Sequence, residues 1–434
     1  MTWLLVKPQF SDWRVELLNQ SQALFNMRIL HVTTEFPPVI FGGLGTAVGG
    51  LVKASARAGL EVGVLLVGGV LCVGEEYGRP SITRQTVDDR LQSIINPEGI
   101  TFFQISPFDC VESAFRVAKE WKADVLHLHT AWVWPFAEAI LERTGIPLVY
   151  TIHSVDKAEY EIGQELGHIL EHCTEQEIAI GRACRLIALT KDEADLLSHY
   201  YPESGKKVRV IGNGIDDTAK ACQASREKRR TDSPLVLYTG RLVERKGIRD
   251  LIAAIPYVLE KVPTTRFVLA GGPPPLTGDE VARQWLSEEC QQYRNQIHFT
   301  GWLTSRDLEG WYCAADVQVV PSRYEPFGMV VLEGMLYGLP IVATDLGGPQ
   351  EILDHGRTGL LFPPKDVSAL AEAIVNLVSS SDLRRHIGQA AATEVRQRWL
   401  WPSVVSRMQS AYQEAIDCRN LYSGPKNQDR KTGP

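Results

Sequence analysis

Residues 316–354 read DVQVVPSRYEPFGMVVLEGMLYGLPIVATDLGGPQEILD, and they constrain the fold more tightly than any other stretch of the chain. The first apolar run, residues 317–320, has the length and β-branched content of a buried strand and stops at Pro321. A loop carrying Glu325, Pro326, Phe327 and Gly328 follows. Residues 329–337 then space their apolar side chains as a helix does, and Gly338 with Pro340 ends it. A second strand, 341–344, leads into Gly347-Gly348-Pro349 and a further helix. Two strand–loop–helix crossings in so short a span predict a parallel sheet, whose ligand site lies outside the carboxyl ends of its strands.

Both loops therefore face one crevice, and each delivers glycines and a helix N-terminus. Unpaired N–H groups and the positive dipole end there favour an anion such as a diphosphate. Glu325 lies in the first loop and Glu333 inside the helix that follows. Carboxylates beside an anion are unfavourable unless they accept hydrogen bonds from neutral hydroxyls. A sugar joined to a nucleoside diphosphate offers hydroxyls at both ends and phosphates between them. Taken singly, each glutamate fits a plainer reading equally well, Glu325 as a helix cap and Glu333 on a solvated face.

Composition removes several other classes. A chain of 434 residues suits two domains of about 200 each rather than one core. A net charge of −7 supplies no field for nucleic acid or anionic lipid. The eight cysteines form no C-x-x-C pair, so neither a disulfide framework nor a zinc site is expected, and a cytoplasmic location is. The longest apolar run, 62–73, is broken by glycines and too short to cross a bilayer, although one amphipathic helix could supply peripheral membrane contact. The oligomeric state is not legible.

Along the chain, residues 1–26 carry Trp3, Leu4, Phe10 and Trp13 without a signal-peptide pattern, and read as a helix added to the first domain. Met27 is an alternative start. Residues 27–34 form a strand, followed by a loop and helix with glycines 42, 43, 45 and 49. A dehydrogenase would need an acid at the end of the next strand, but Glu61 stands at its start, so these glycines serve close backbone approach instead. His127 falls inside a strand, as a satisfied core histidine does, whereas His129 lies at the carboxyl edge. Trp132 and Trp134 suit either sugar stacking or packing. His153 ends the strand 148–152. In the second half, Arg241 and Lys246 straddle a turn after the first strand, placing two cations where a diphosphate would sit. No D-x-D triplet or acid/histidine cluster with ligand spacing occurs, so no metal and no cofactor is expected. Arg241, Lys246 and a helix N-terminus can perform the electrostatic work.

EPFGMVVLE, GLPIVAT and GGPQEI together resemble the E-x7-E signature of retaining glycosyltransferases of family 4 and their glycogen/starch synthase relatives, from Met27 to about Trp401. The resemblance implies the α/β GT-B fold, two facing Rossmann-like doubly wound parallel sheets with a cleft between them. It implies that Glu325 contacts the donor sugar and Glu333 the ribose, with Phe327 and the backbone of Gly328, Met329 and Val330 holding the donor. Gly42 and Gly43 would approach the diphosphate or acceptor. His129 would face the reacting sugar, with His153 on the acceptor side. Expected boundaries are an extension 1–26, an acceptor domain 27–216, a linker 217–233, a nucleotide-sugar domain 234–398, a helix 399–416 crossing back, and a disordered tail 417–434.

The implied activity is metal-independent, retaining transfer of a hexosyl group, glucosyl by preference, from a UDP- or ADP-sugar to a glucan or sugar phosphate. GGLG, HLHTAW and GRLVERKG look like glycogen/starch synthases, yet Ile40 or Phe41 stands where those enzymes have a lysine. HSVDKAEYE and GGPQEI look equally like sucrose-phosphate synthases, with fructose 6-phosphate as acceptor. A lipid or cell-wall acceptor and a non-catalytic nucleotide-sugar binder are the remaining alternatives.

Overall fold

A computed structural model describes residues 27–37, 40, 42–68, 93–95, 98–106, 108, 111–161, 169–219, 233–272, 278–286 and 290–422. The expected N-terminal extension, most of the expected linker and residues 423–434 lie outside these. Among the described residues, fourteen strands form two sheets. The first contains β1 (Arg28–Thr33), β2 (Glu61–Val67), β3 (Ser93–Ile95), β4 (Thr101–Ile105), β5 (Val125–Leu128), β6 (Leu148–Ile152), β7 (Arg185–Ala188) and β8 (Val208–Val210). Their order is β3-β4-β2-β1-β5-β6-β7-β8, parallel throughout except for the edge strand β3.

The second sheet contains β9 (Leu235–Thr239), β10 (Arg266–Ala270), β11 (Ile297–Gly301), β12 (Val317–Val320), β13 (Ile341–Thr344) and β14 (Gly359–Phe362). All its pairs are parallel, in the order β11-β10-β9-β12-β13-β14. Continuous apolar runs explain this. Strands β5, β6, β12 and β13 are buried at every position, as a sheet covered by helices on both faces requires. The parallel strands of each sheet reverse their order once, between β1 and β5 in the first and between β9 and β12 in the second. These reversals open crevices at the strands' carboxyl ends.

The helix Trp401–Tyr422 follows the second sheet in sequence but packs on the first. Trp401, Val404, Met408 and Tyr412 are buried with Ile29, Val125, Val149 and Ile187. The chain crosses between the two units twice, side by side: Ile215 N–H donates to Trp399 O at 2.8 Å and Trp401 N–H to Ile215 O at 3.3 Å. The helix also runs past residue 416, where the sequence suggested a polar tail. Ala415 is still buried, and Gln413 bonds Asp417 one turn on at 2.9 Å, so the polar residues form the outer face of a helix.

After β6 come the helices Asp156–Glu161 and Ile169–Arg182, with residues 162–168 outside the described residues. Among the described residues no helix is long and apolar enough to cross a membrane.

Candidate functional site

The two crevices face each other across a cleft of about 2430 Å³. On its second-sheet wall, Lys246 and Glu325 come together although 79 positions apart. Lys246 ends the short turn Glu244–Lys246, and Gly247 reverses the chain at φ 66°. A Cβ on Gly247 would lie 1.8 Å from the Pro321 carbonyl oxygen, so only glycine lets this turn pack on the end of β12. Arg323 fastens the same junction, donating to both Asp250 carboxylate oxygens at 2.8 and 2.6 Å and through its backbone to Arg245 O at 2.8 Å.

Glu325 accepts from Lys246 Nζ and, at 3.1 Å, from Ser322 Oγ, both through Oε2. Burial, the largest single influence, would raise its carboxyl, but the Lys246 ammonium, Arg245 and the Ser322 hydroxyl together outweigh that and hold it below the usual glutamate value. Burial lowers Lys246, and Glu325 opposes the shift. Burial, then Arg245, lowers Arg241, which lines the same wall.

Gly328 caps the helix Met329–Leu336 at φ 97° with no side-chain cap, leaving the helix N-terminus without a side-chain partner at the cleft. Its neighbour Gly348 donates to Glu325 O at 2.9 Å, and a Cβ there would lie 1.8 Å from Phe327 O. Contact between the two loops thus requires glycine at 348. Glu333 lies one and a half turns along the helix, half-buried, and accepts the Tyr312 hydroxyl at 2.6 Å through Oε2. Burial raises its carboxyl and the Tyr312 hydrogen bond opposes this. Tyr312 also meets Thr239 Oγ1 at 3.0 Å, so Glu333 is steered from β9 as well as from its own helix.

The first-sheet wall carries Gly42, Gly43, His129, Trp132 and His153. A Cβ at Gly42 or Gly43 would meet no atom of the described residues within 4 Å, so packing does not demand glycine at either position. His127 is a core residue, with Nδ1 on Tyr412 Oη at 2.8 Å and Nε2 on Thr151 Oγ1 at 2.7 Å. His129 is only 2% exposed. Its Nε2 lies 2.9 Å from His31 Nδ1, and its Nδ1 lies 3.4 Å from His153 Nε2. Trp132 is 62% exposed in the cleft, whereas Trp134 is buried.

Charge divides the walls. The second sheet contributes Arg241, Arg245, Lys246, Arg249, Arg323 and Lys365 against Glu244, Glu309, Glu325 and Glu333, a net positive balance. The first contributes Glu35, Asp156, Glu159, Glu161 and Asp216 with Lys53. Burial, then Glu159, pushes the Asp156 carboxyl up to about 7. Gln176 positions this acid, accepting from Asp156 N–H at 2.9 Å and donating to Ser154 O at 3.0 Å.

The structure thus gathers every site residue expected from the sequence along one cleft. The sequence reading missed His31, Tyr312, Ser322, Arg245 and Asp156. Arg245, Ser322 and Asp156 all stand in quoted stretches. His31 and Tyr312 carry no local signal, because only strand pairing and helix packing bring them in.

Residues 41–219 match the model of Glycosyltransferase Family 4, and residues 233–380 that of Glycosyl transferases group 1. An uncharacterized glycosyltransferase of Methanocaldococcus jannaschii is 30% identical over 407 residues, covering 90% of this chain and 99% of that one. Among solved structures, sucrose-phosphate synthase from Thermosynechococcus elongatus superposes with a TM-score of 0.71 at 23% identity, over 92% of this chain and 100% of that one. Anabaena HepE in complex with UDP-glucose gives a TM-score of 0.67 at 20% identity, over 89% and 99% of the two chains.

Proposed function

The chain belongs to the family 4, or group 1, glycosyltransferases and has their GT-B fold, and from that premise we propose that it transfers a glucosyl group with retention, without a metal, from a nucleoside-diphosphate donor to a neutral sugar acceptor. The observation that carries this reading is the convergence at the β9/β12 crevice. Arg241, Lys246 and the N-terminus of the helix Met329–Leu336 line one wall with Glu325 and Glu333. The cations and helix end suit the diphosphate, and stabilise the charge that grows on it as its bond to the sugar breaks. Lys246 directs Glu325 toward the sugar hydroxyls, and Tyr312 directs Glu333 toward the ribose. Phe327 and the backbone of Met329 and Val330 complete the donor side.

In the proposed step the bond from the anomeric carbon to the leaving phosphate oxygen breaks. The acceptor oxygen bonds that carbon on the same face, and its proton passes to the leaving phosphate. HepE's UDP-glucose supports the choice of donor. The acceptor wall favours a neutral sugar over a phosphorylated one. Lys53 is the one lysine or arginine among its described residues, against Glu35, Asp156, Glu159, Glu161 and Asp216, and Trp132 offers an aromatic face to a sugar ring.

The test pairs UDP-glucose, ADP-glucose and GDP-mannose with a glucan and with fructose 6-phosphate, in excess EDTA, with the product anomer read by NMR. Transfer with retention to the glucan is expected. Transfer to fructose 6-phosphate alone would replace the neutral acceptor by the sucrose-phosphate-synthase-like reading. A requirement for added Mn²⁺ or Mg²⁺ would overturn the metal-free step. Nucleotide binding without turnover of any donor would leave a non-catalytic binder.

A further inference from the structure

His31 belongs to no motif, yet it is fully buried on β1, beside His127 of β5 in the strand register. Its ring lies edge to edge with that of His129, centroids 5.2 Å apart and planes 12° from parallel. Two hydrogen bonds join three imidazoles from the core to the cleft: His31 Nδ1 to His129 Nε2 at 2.9 Å, and His129 Nδ1 to His153 Nε2 at 3.4 Å. Burial keeps the rings neutral, lowering His31 to about 3 and His153 to about 4; His129 is lowered by burial and then by His127, His31 and His153. Each ring therefore carries one proton, and each hydrogen bond needs one N–H facing one lone pair.

Only two directed patterns satisfy both bonds. In the inward one, protons sit on His153 Nε2, His129 Nε2 and His31 Nε2. His31 Nε2, however, is buried without a partner among the described residues, and an N–H there would be an orphan donor of the kind folded proteins avoid. In the outward pattern that atom is a bare lone pair, and every ring carries its proton on Nδ1. His31 then donates to His129, His129 donates to His153, and the Nδ1–H of His153 remains. His153 lines the cleft, so its free donor is available to a ligand. Both nitrogens of His129 are used within the chain.

We propose that His31 is the positioning residue of a one-way imidazole chain, His31 to His129 to His153, which fixes His153 as the neutral N–H donor to a sugar oxygen. The chain rests on the hydrogen-bond geometry and on the burial that keeps its rings neutral; only the sugar oxygen it addresses rests on the transferase reading. The same trio, with His127 in place of His153, also has nitrogens close enough together to be considered as a metal site. Both His127 nitrogens already have hydroxyl partners, and 2.9 Å between His31 and His129 fits a shared proton. Two nitrogens on a tetrahedral zinc would stand roughly 3.3 Å apart.

The experiment is long-range ¹H–¹⁵N correlation on the full chain with ring-labelled histidine, assigned from single-histidine variants, beside steady-state kinetics. His31, His129 and His153 should all appear as the Nδ1–H tautomer, the minor form of free histidine. His31→Phe, which cannot donate, should scramble the tautomers of the other two. It should lower kcat by about tenfold, the size of one neutral hydrogen bond, with donor KM unchanged. His31→Asn keeps a donor near the Nδ1 position and should stay within about twofold of the unaltered protein.

A proton on His153 Nε2, or one equivalent of Zn²⁺ displacing the ring protons, would overturn the proposal. So would equal losses in the Phe and Asn variants with tautomers unchanged, which would mean packing alone. If His31→Phe does not fold, the spectra of the unaltered protein and of His31→Asn still decide. The spectra need no substrate, so a directed chain in a protein that transfers no sugar would refute the proposed function and not the chain.

Discussion

Lys246 and Glu325 form a pair with side chains only 17% and 10% exposed, and its partners can be removed singly or together. Lys246→Met leaves the Glu325 carboxylate buried, with Ser322 its remaining side-chain hydrogen-bond donor. Breaking a buried pair in this way costs about 3–5 kcal/mol. For a domain of this size that is roughly 10 °C in the melting transition of the second unit. Turnover should fall by about 10²–10³-fold, the loss expected for one preorganised donor at the leaving phosphate.

The stability defect should depend on pH, and its sign differs between the two proteins. In the intact pair the Glu325 carboxyl lies below its unfolded value, so its contribution is present above the ordinary glutamate pKa and is lost as pH falls through the folded one. Without Lys246 the carboxyl lies above its unfolded value, so stability should recover on acidification from neutrality toward the ordinary pKa. Lys246→Met/Glu325→Gln, with no ion left, should regain most of the melting temperature at neutral pH while staying inactive. Scanning calorimetry at several pH values, beside initial rates, measures both. A Lys246→Met protein that melts like the unaltered one at neutral pH would refute the buried-pair argument. A double variant with normal turnover would refute the catalytic one.

Glu333→Gln should weaken donor and nucleoside-diphosphate product together by about 10–100-fold, through a charge-assisted hydrogen bond to the ribose, whereas Glu325→Gln should spare product affinity and depress transfer. Calorimetric titration with product alone separates them, and equal losses would refute the division of roles. Gly348→Ala should cost at least 1–3 kcal/mol in thermal stability, because its Cβ would sit 1.8 Å from Phe327 O and drive the two loops apart. Asp156, pushed up from the ordinary 3.8 to about 7, lends stability at low pH that is lost as pH rises from the ordinary aspartate value to about 7, so Asp156→Asn should flatten the decline seen by calorimetry between about pH 4 and 7.

Most of the fold was legible because its signals are local. Runs such as VQVV and IVAT can only be buried strands, and glycine-ended helical segments between them impose a parallel sheet. Glu325, Glu333, Arg241 and Lys246 were legible for the same reason, each lying just beyond a strand that the sequence marks. The missed elements had weaker local patterns. β14 is four residues at a sheet edge, and the helix Ser305–Ala314 announces itself chiefly by Thr304, whose hydroxyl accepts from Asp307 N–H at 3.2 Å. His31 and Tyr312 were illegible in principle. Their partners stand 98 and 21 positions away, and nothing in their own neighbourhoods distinguishes them from core residues.

The opposed charges of the walls bear on product release as well as binding. Transfer leaves a nucleoside diphosphate with about one more negative charge than the donor it came from, still facing the acidic wall. Glu159 stands 3.9 Å from Arg245, so a diphosphate drawn to the cationic wall would lie within about 10 Å of this carboxylate. At that separation and an effective dielectric of about 20, one added charge costs roughly 1–2 kcal/mol. The donor, with less charge, is repelled less. Glu159→Gln should therefore tighten product binding by about tenfold, tighten donor binding by a smaller factor, and slow turnover wherever release limits it. Removing Glu159 also frees Arg245, and that effect alone would strengthen donor and product alike. Calorimetric affinities for UDP, compared with initial-rate constants for UDP-glucose, separate the two causes. Equal gains would show that the glutamate only occupies Arg245, and that the acidic wall does not expel product.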